Sequence, residues 1–366
     1  MDRCYIIPDY PRAKLDIKLL VEEDDAATLA AIQALELPPR YETIVAPAGW
    51  PRTKPRALNV ALPVARGDLV VVFDAEDAPD PTQLRRAAAR FAADPTLDCL
   101  QARLTIENAK EAWISQMFAI EYAALFDLIN PGLAALGLPI ALGGTSNHFR
   151  TRTLRKAGGW DAWNVTEDAD LGLRLARRGA RVGALRSDTR EEAPVRLWAW
   201  LKQRVRWQKG WMQTLIVHTR RPVRIVRELG LARAAAAMAM IGGSVLGGLF
   251  GPALAGEALL RAGFGGLAGA SPWRVAGDVA IYTLMISGLL TILAPALVTG
   301  RSRGLTRGFV LASLPLYYLL ISAASWIALI DLAVRPFYWA KTEHGMQGVD
   351  GRPAALGNAV RQRRMA

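Results

Sequence analysis

The stretch VVVFDAEDAPDP, residues 70–81, decides the fold. Four apolar residues in a row read as a strand buried on both faces, and they run straight into Asp74, Glu76, Asp77 and Asp80. In an open α/β sheet, ligands bind outside the carboxyl ends of the strands, which places these acids for a ligand and not for the core. Carboxylate oxygens suit hard cations such as Mg2+ or Mn2+. Such ions take one or two protein carboxylates and fill the rest of their shell with phosphate and water. Acids ahead of a Pro-started helix also serve as ordinary partners of the helix dipole, so the stretch alone leaves that simpler reading open.

Working outward, LDIKLLV (15–21) and ETIVAP (42–47) are further short apolar runs with the look of buried strands. The intervening DDAATLAAIQAL and RALNVALPVA have helical composition, and strands alternating with helices imply a mostly parallel sheet. PTQLRRAAARFAADP reads as a helix opened by Pro81 and stopped before Pro95, and EDADLGLRLARRGARV as another closed by Gly179. Residues 1–194 thus form a soluble α/β unit.

The chain has 366 residues and a formal charge of +12. A basic balance points to nucleic acid, anionic lipid or phosphorylated substrates. Cys4 and Cys99 are the only cysteines, which excludes a disulfide framework and fits a reducing compartment. No Cys/His cluster has zinc spacing. The opening MDRCYIIPDYPRAK lacks the apolar core of a secretory signal.

Composition changes at 195–233, where ten Lys/Arg and one acid are interleaved with Trp198, Trp200, Trp207 and Trp211. That pattern fits helices lying on a membrane, with aromatic rings at headgroup depth and cations toward anionic lipid. A solvated basic face for nucleic acid is the alternative. It loses to the uncharged apolar stretches at 234–256, 279–300 and 308–330, each long enough to cross a hydrocarbon core of about 30 Å. The loop with Arg301, Arg303 and Arg307 belongs on the cytoplasmic side, as does the basic tail of 335–366.

The pieces KPRALN (54–59), ARGD (65–68), DAED (74–77), TED (166–168) and QRVRW (203–207) occur in an order that resembles the membrane-embedded family-2 glycosyltransferases. These are the cellulose synthase-like enzymes and related bacterial exopolysaccharide β-glycan synthases. The phrases LDIKLLVEEDD, GGTSNHFR, GGWDAWNVTEDADLG and RPFYWAKTEHG extend the resemblance over about residues 10–345. It implies a GT-A-like nucleotide-diphospho-sugar transferase domain followed by interfacial and transmembrane helices. It implies an inverting, metal-dependent transfer from a UDP-sugar, with UDP-glucose as the expected donor, to a growing β-linked glycan exported through the enzyme's own membrane region. The cofactor is Mg2+ or Mn2+, and the place is the bacterial inner membrane with the catalytic domain in the cytoplasm. Nucleic acid is not expected as a partner, and export or regulatory subunits are left open.

By the same resemblance Asp74 and Glu76 hold the metal, with Asp77 as a rival second ligand. Glu23 and Asp24 contact the uridine, and Lys54 sits near the nucleotide. Asp168 is the catalytic base; capping of its helix is the plainer reading of that acid. Gln203, Arg206 and Trp207 bind diphosphate and acceptor sugar, with an interfacial anchor as the plainer role for Trp207. Lys341 and Thr342, in a gating-like loop, contact phosphate. His148 is expected to be structural or to touch substrate. The stretches 234–256 and 279–300 are expected to cross the membrane, and 308–330 to be embedded and return to the cytoplasmic side. The family's usual first strand is not matched, and an N-terminal truncation is the expectation. Two other functions compete: single transfer to a polyprenyl-phosphate lipid, and a non-catalytic membrane partner.

Overall fold

The computed structural model describes residues 9–264, a few positions between 271 and 282, and residues 307–338. The expected crossing at 279–300, Lys341 and Thr342, and the basic tail lie outside these residues, apart from isolated positions at the start of that crossing.

The apolar runs form strands where their composition places them: β1 (Ile17–Glu22), β2 (Tyr41–Ala46) and β3 (Leu69–Val72). Helix α1 (Ala26–Gln33) starts from Asp25, whose side chain accepts from Thr28 N at 3.0 Å. Helix α2 (Lys54–Ala61) follows, with Pro55 in its first turn. After β3 come β4 (Ala78–Pro79), α3 (Gln83–Ala93) and β5 (Leu97–Ile106). Helix α4 (Trp113–Ala123) runs on through a wide turn into α5 (Asn130–Ala135). Then follow β6 (Asn147–Arg150), α6 (Thr151–Ala157), α7 (Glu167–Arg177) and β7 (Arg181–Glu191). Gly179, at φ +80°, lets the chain turn out of α7 into β7, as its position in the sequence implies.

The sheet is mixed, where alternating strands and helices predict a mostly parallel one. β1 and β2 pair in parallel, and so do β5 and β7. β6 is inserted antiparallel between β3 and β5, and β4 runs antiparallel along β7. The sheet is also divided. β1–β2 forms a two-stranded piece, and β3-β6-β5-β7-β4 a five-stranded one. Among the described residues β1 pairs only with β2 and β3 only with β6. The two pieces are tied at one end by Arg66, which donates to Asp16 through its backbone N (3.0 Å) and its guanidinium (2.7 Å).

The core of the five-stranded piece is Leu100, Phe149, Leu154, Leu171 and Leu175, all fully buried. Beyond it, α8 (Leu197–Thr219) and α9 (Pro222–Leu229) lead to two long helices, α10 (Leu231–Phe264) and α11 (Arg307–Val334). Leu231–Glu257 and Ala312–Val334 are long and apolar enough to cross a membrane.

Helix α8 differs from the interfacial expectation. Trp198 is exposed, but Trp200 is fully buried, and Arg204 and Lys209 turn inward to acids. Arg204 pairs with Glu121 at 2.6 Å and donates to Tyr317 Oη at 3.2 Å. Lys209 pairs with Asp331 at 2.7 Å. The physical reason is partner supply: α4 and α11 each bring a carboxylate, and a buried cation with an acid against it is stable where a lone one is not. Helix α9 keeps the amphipathic character, with Ile225 and Leu229 buried and Val223, Arg224 and Arg227 outward.

Candidate active site

The site collects the carboxyl ends of β1, β3 and β7, the segment entering β6, and the first turns of α2 and α7. Strand ends and helix N-termini together favour an anionic ligand at this edge.

Asp74 follows β3 directly. Its carboxylate receives the Lys54 ammonium from the first turn of α2. Lys54 Nζ also donates to Gly144 O at 2.7 Å. A Cβ on Gly144 would stand 3.5 Å from Asp168 Oδ2, so Lys54, Asp74, Gly144 and Asp168 form one contiguous group. Burial works against the ammonium, but Asp74, Glu167 and Asp168 outweigh it and hold the Lys54 pKa above the usual lysine value.

Asp77 turns inward: its Oδ2 accepts from Asp74 N at 3.3 Å. Glu76 is exposed. Burial first, then Asp74, pushes the Asp77 carboxyl up to about 7. One step beyond the β4–β7 pairing of Ala78 with Arg190, Asp77 stands opposite Glu191. Glu191 receives the Tyr122 hydroxyl at 3.2 Å through Oε2, while its Oε1 is buried with no hydrogen-bond partner. Burial, with Asp77 and Asp74 nearby, holds the Glu191 carboxyl well above the usual range. The carboxylates of Asp74, Asp77 and Glu191 thus repel one another, and carboxylate oxygens are the donor type that a divalent cation takes. Among the described residues no three such side chains are already gathered in a ligating arrangement.

Helix α7 presents Glu167 and Asp168 in its first turn. Thr166 stands at the N-cap position but makes no side-chain cap bond, whereas Asp168 Oδ1 accepts from the first-turn Ala169 N at 2.8 Å. Burial raises the Asp168 pKa; burial and then Asp168 push Glu167 up to about 7.

Glu23 and Asp24 sit on the two-stranded piece. Glu23 Oε2 accepts from Ala48 N at 2.7 Å, and Asp24 pairs with Arg52, both exposed. They are joined to the central group through the loop 47–53, which ends at Lys54. Arg206 is half-buried on α8 with Glu167, Asp168 and Asp74 as its nearest acids; burial lowers its pKa against their pull. Gln203 is buried, with Oε1 lacking a hydrogen-bond partner. Trp207 is already engaged, its ring 5.5 Å from Phe118 and 4.9 Å from the Arg204 guanidinium carbon. His148 is buried against Gln83 at 3.1 Å, and burial brings its pKa down to about 3, so it is a core residue.

Sequence reasoning passed over Glu167, Glu191 and Arg204. For Glu191 a signal existed, since TREEAP is an acid-bearing strand end like that of β3. Nothing local could reveal that Arg204 meets Glu121, 83 residues away.

Residues 6–210 match the family described as glycosyltransferase like family 2. The β-monoglucosyldiacylglycerol synthase of Synechocystis sp. is 29% identical over 222 residues, covering 58% of this chain and 44% of that protein. The probable glucomannan 4-beta-mannosyltransferase 1 of Arabidopsis thaliana is 29% identical over 148 residues, covering 40% of this chain and 27% of that protein. The chain therefore spans less than half the length of these curated relatives. The solved mannosyltransferase PcManGT of Pyrobaculum calidifontis, in complex with GDP-Man and Mn2+, superposes with a TM-score of 0.49 at 20% identity, over 88% of this chain and 79% of that one. With more than half of its residues in the family match, and with acids and a lysine gathered at the strand ends of a GT-A-like fold, the chain belongs to glycosyltransferase family 2.

Proposed function

We propose that this chain is the catalytic part of an inverting glycosyltransferase that moves glucose from UDP-glucose to a growing β-linked polysaccharide at the cytoplasmic face of a bacterial inner membrane. The observation that carries the reading is the division of carboxylates about Lys54: Asp74 and Asp77 on one side, Asp168 on the other. Inverting transfer needs that division. Asp168 accepts the proton of the acceptor hydroxyl, and burial, by raising its pKa, makes it a stronger base than an exposed aspartate. Asp74, with Asp77 or Glu76, holds the Mg2+ or Mn2+. When bound, the cation supplies positive charge to the diphosphate oxygens. Lys54 and Arg206 add fixed positive charge on the same side, where negative charge develops on the departing nucleotide. Glu23 and Asp24 face the nucleoside end, and Gln203 brings a buried amide oxygen that has no hydrogen-bond partner.

Two ion pairs, Arg204–Glu121 and Lys209–Asp331, fasten α8 between the catalytic unit and α11, which supports transfer beside a membrane. Lys341 and Thr342, outside the described residues, remain candidate phosphate contacts. A second reading, single transfer to a lipid acceptor, is favoured by the name of the Synechocystis relative.

Membranes carrying the chain, given labelled UDP-glucose, UDP-N-acetylglucosamine and GDP-mannose in turn, test both readings. Label from UDP-glucose in a product insoluble in organic solvent, lost on β-glucanase digestion, is the expected result. Label that extracts with lipid replaces the polymer reading with the second one. Label from another donor alone overturns the glucose assignment.

A further inference from the structure

Helix α7 carries two acids on nearly opposite sides. At about 100° per residue, Asp170 points about 200° away from Asp168. Asp168 lies beside Gly144 and within the field of Lys54 and Arg206, whereas Asp170 is buried against α8, where it meets His218. His218 is buried as well. Its Nε2 lies 2.9 Å from Asp170 Oδ1, and its Nδ1 lies 2.8 Å from Arg177 Nη1. A guanidinium only donates, so Nδ1 is the acceptor and Nε2 carries the proton that Asp170 receives. Asp170 and Arg177 stand seven residues apart, two turns of α7, and so share one face of it. One imidazole thus grips that face at two levels. The grip is itself held. Arg174 donates to the second oxygen of Asp170 at 2.6 Å, and to Ala157 O and Gly159 O at 3.0 and 2.9 Å. Arg177 pairs with Glu228 of α9 at 2.6 Å.

We propose that His218 is a positioning residue that sets the rotation of α7 and thereby aims Asp168 at the acceptor hydroxyl; this rests on the reading of Asp168 as the base. The other contacts of this face are apolar: Leu173 and Ala176 of α7 belong to one cluster with Ile225 and Leu229 of α9. Apolar contact is non-directional, so it keeps a helix close without fixing its angle. Gln213 holds the entry to α7, accepting from Val165 N at 3.1 Å, and so fixes where the helix begins. The two hydrogen bonds of His218 have direction, and they fix the angle. The magnitude matters for the base. A carboxylate on α7 lies about 5–6 Å from the helix axis, so a rotation of about 10° carries it about 1 Å. A displacement of that size costs about 10²-fold at a reacting centre. Stability is the weaker account of the network, because apolar side chains of similar volume often replace buried ionic groups without loss.

Two substitutions separate the two bonds. Glutamine reaches as far as Nε2 and keeps an N–H for Asp170, whereas asparagine reaches only as far as Nδ1 and keeps an acceptor for Arg177. The full chain in membranes is given labelled UDP-glucose, UDP-N-acetylglucosamine and GDP-mannose, and kcat, donor KM and melting temperature are measured. His218→Asn is expected to lower kcat about thirtyfold with donor KM within about twofold, and His218→Gln to keep kcat within about threefold. Ile225→Ala, which opens the apolar contact beside the network, should lower the melting temperature at least as much as His218→Asn and keep kcat within about threefold. Equal kcat in the asparagine and glutamine variants overturns the proposal, because packing alone then explains the residue. So does a thirtyfold loss in Ile225→Ala, and so does a loss that appears in donor KM instead of kcat. Asp168→Asn is run alongside. Its near-normal turnover, or a parent chain that transfers from none of the three donors, overturns the reading on which the proposal rests, and the proposal with it.

Discussion

Lys54 and Asp74 form an ion pair where α2 begins and β3 has just ended, so an ammonium occupies the charge position at the head of the acidic strand. A divalent cation held by Asp74 would share that carboxylate with the ammonium. Lys54→Gln is expected to raise Mn2+ affinity in the absence of nucleotide by about threefold to tenfold, because the repulsion between like charges is removed. Transfer should fall in the same variant, since the positive charge facing the diphosphate is gone. Electron paramagnetic resonance of free Mn2+ gives the first quantity and labelled product the second.

Asp168→Asn is expected to reduce transfer by about 10³-fold while leaving UDP affinity within about twofold, since a base acts on the acceptor and not on the nucleotide. A pH profile adds a second check. The base works ionised, Asp168 is raised by burial, and Glu167 beside it stands at about 7. The rate should therefore drop as pH falls, starting above the range of an exposed aspartate. Near-normal turnover of the asparagine variant removes the assignment.

Stability should follow the Asp77 carboxyl. Its folded pKa of about 7 lies above the 3.8 of an ordinary aspartate, so between those values the native protein holds a proton that the unfolded chain releases. Stability is greatest below about pH 4 on this account and declines as pH rises through 7. The melting temperature should thus fall from pH 5 to pH 7.5 in EDTA, and Mn2+ should restore more of it at the higher pH. Asp77→Asn should flatten the slope, while Glu76→Gln should leave it as it is.

Gly210 is a position where only hydrogen fits. A Cβ there would stand 2.2 Å from Thr166 Oγ1 and 2.5 Å from Thr166 Cγ2. Thr166 precedes Glu167 and Asp168, so Gly210→Ala shifts the start of α7. Transfer is expected to fall by about 10²-fold, as a displacement near 1 Å does at a reacting centre. Far-ultraviolet circular dichroism should be unchanged, and Thr166→Ser, by removing the methyl, should recover part of the loss in the double variant.

Much of this was legible in the sequence. The runs at 15–21, 42–47 and 68–74 became β1, β2 and β3, because a continuous apolar run next to turn residues has few other homes. Asp74, Asp168 and Lys54, singled out separately in the sequence, lie together in space. The antiparallel β6 was not legible: NHFR is four residues long with no periodicity to read, and its direction depends on the neighbours it meets. Helix α8 misled for a related reason. Arginine and tryptophan in alternation look the same whether they face lipid or a buried acid, and Glu121 and Asp331, which settle Arg204 and Lys209, lie far away in the chain.

The divided sheet has a consequence for how the protein opens. A ladder transmits cooperativity from strand to strand, and among the described residues none crosses between β1 and β3. The segment from β1 to β2 packs on α2 and is joined to the rest by side chains such as Asp16 and Arg66, and by the loop that runs into α2. It can come loose as its own unit, at a free-energy cost below that of global unfolding. Glu23 and Asp24 travel with it, whereas Asp74 and Asp168 stay on the five-stranded piece. The Glu23 and Asp24 side of the site can therefore breathe while the Asp74 and Asp168 side stays assembled, and a ligand bridging both would hold the two pieces together.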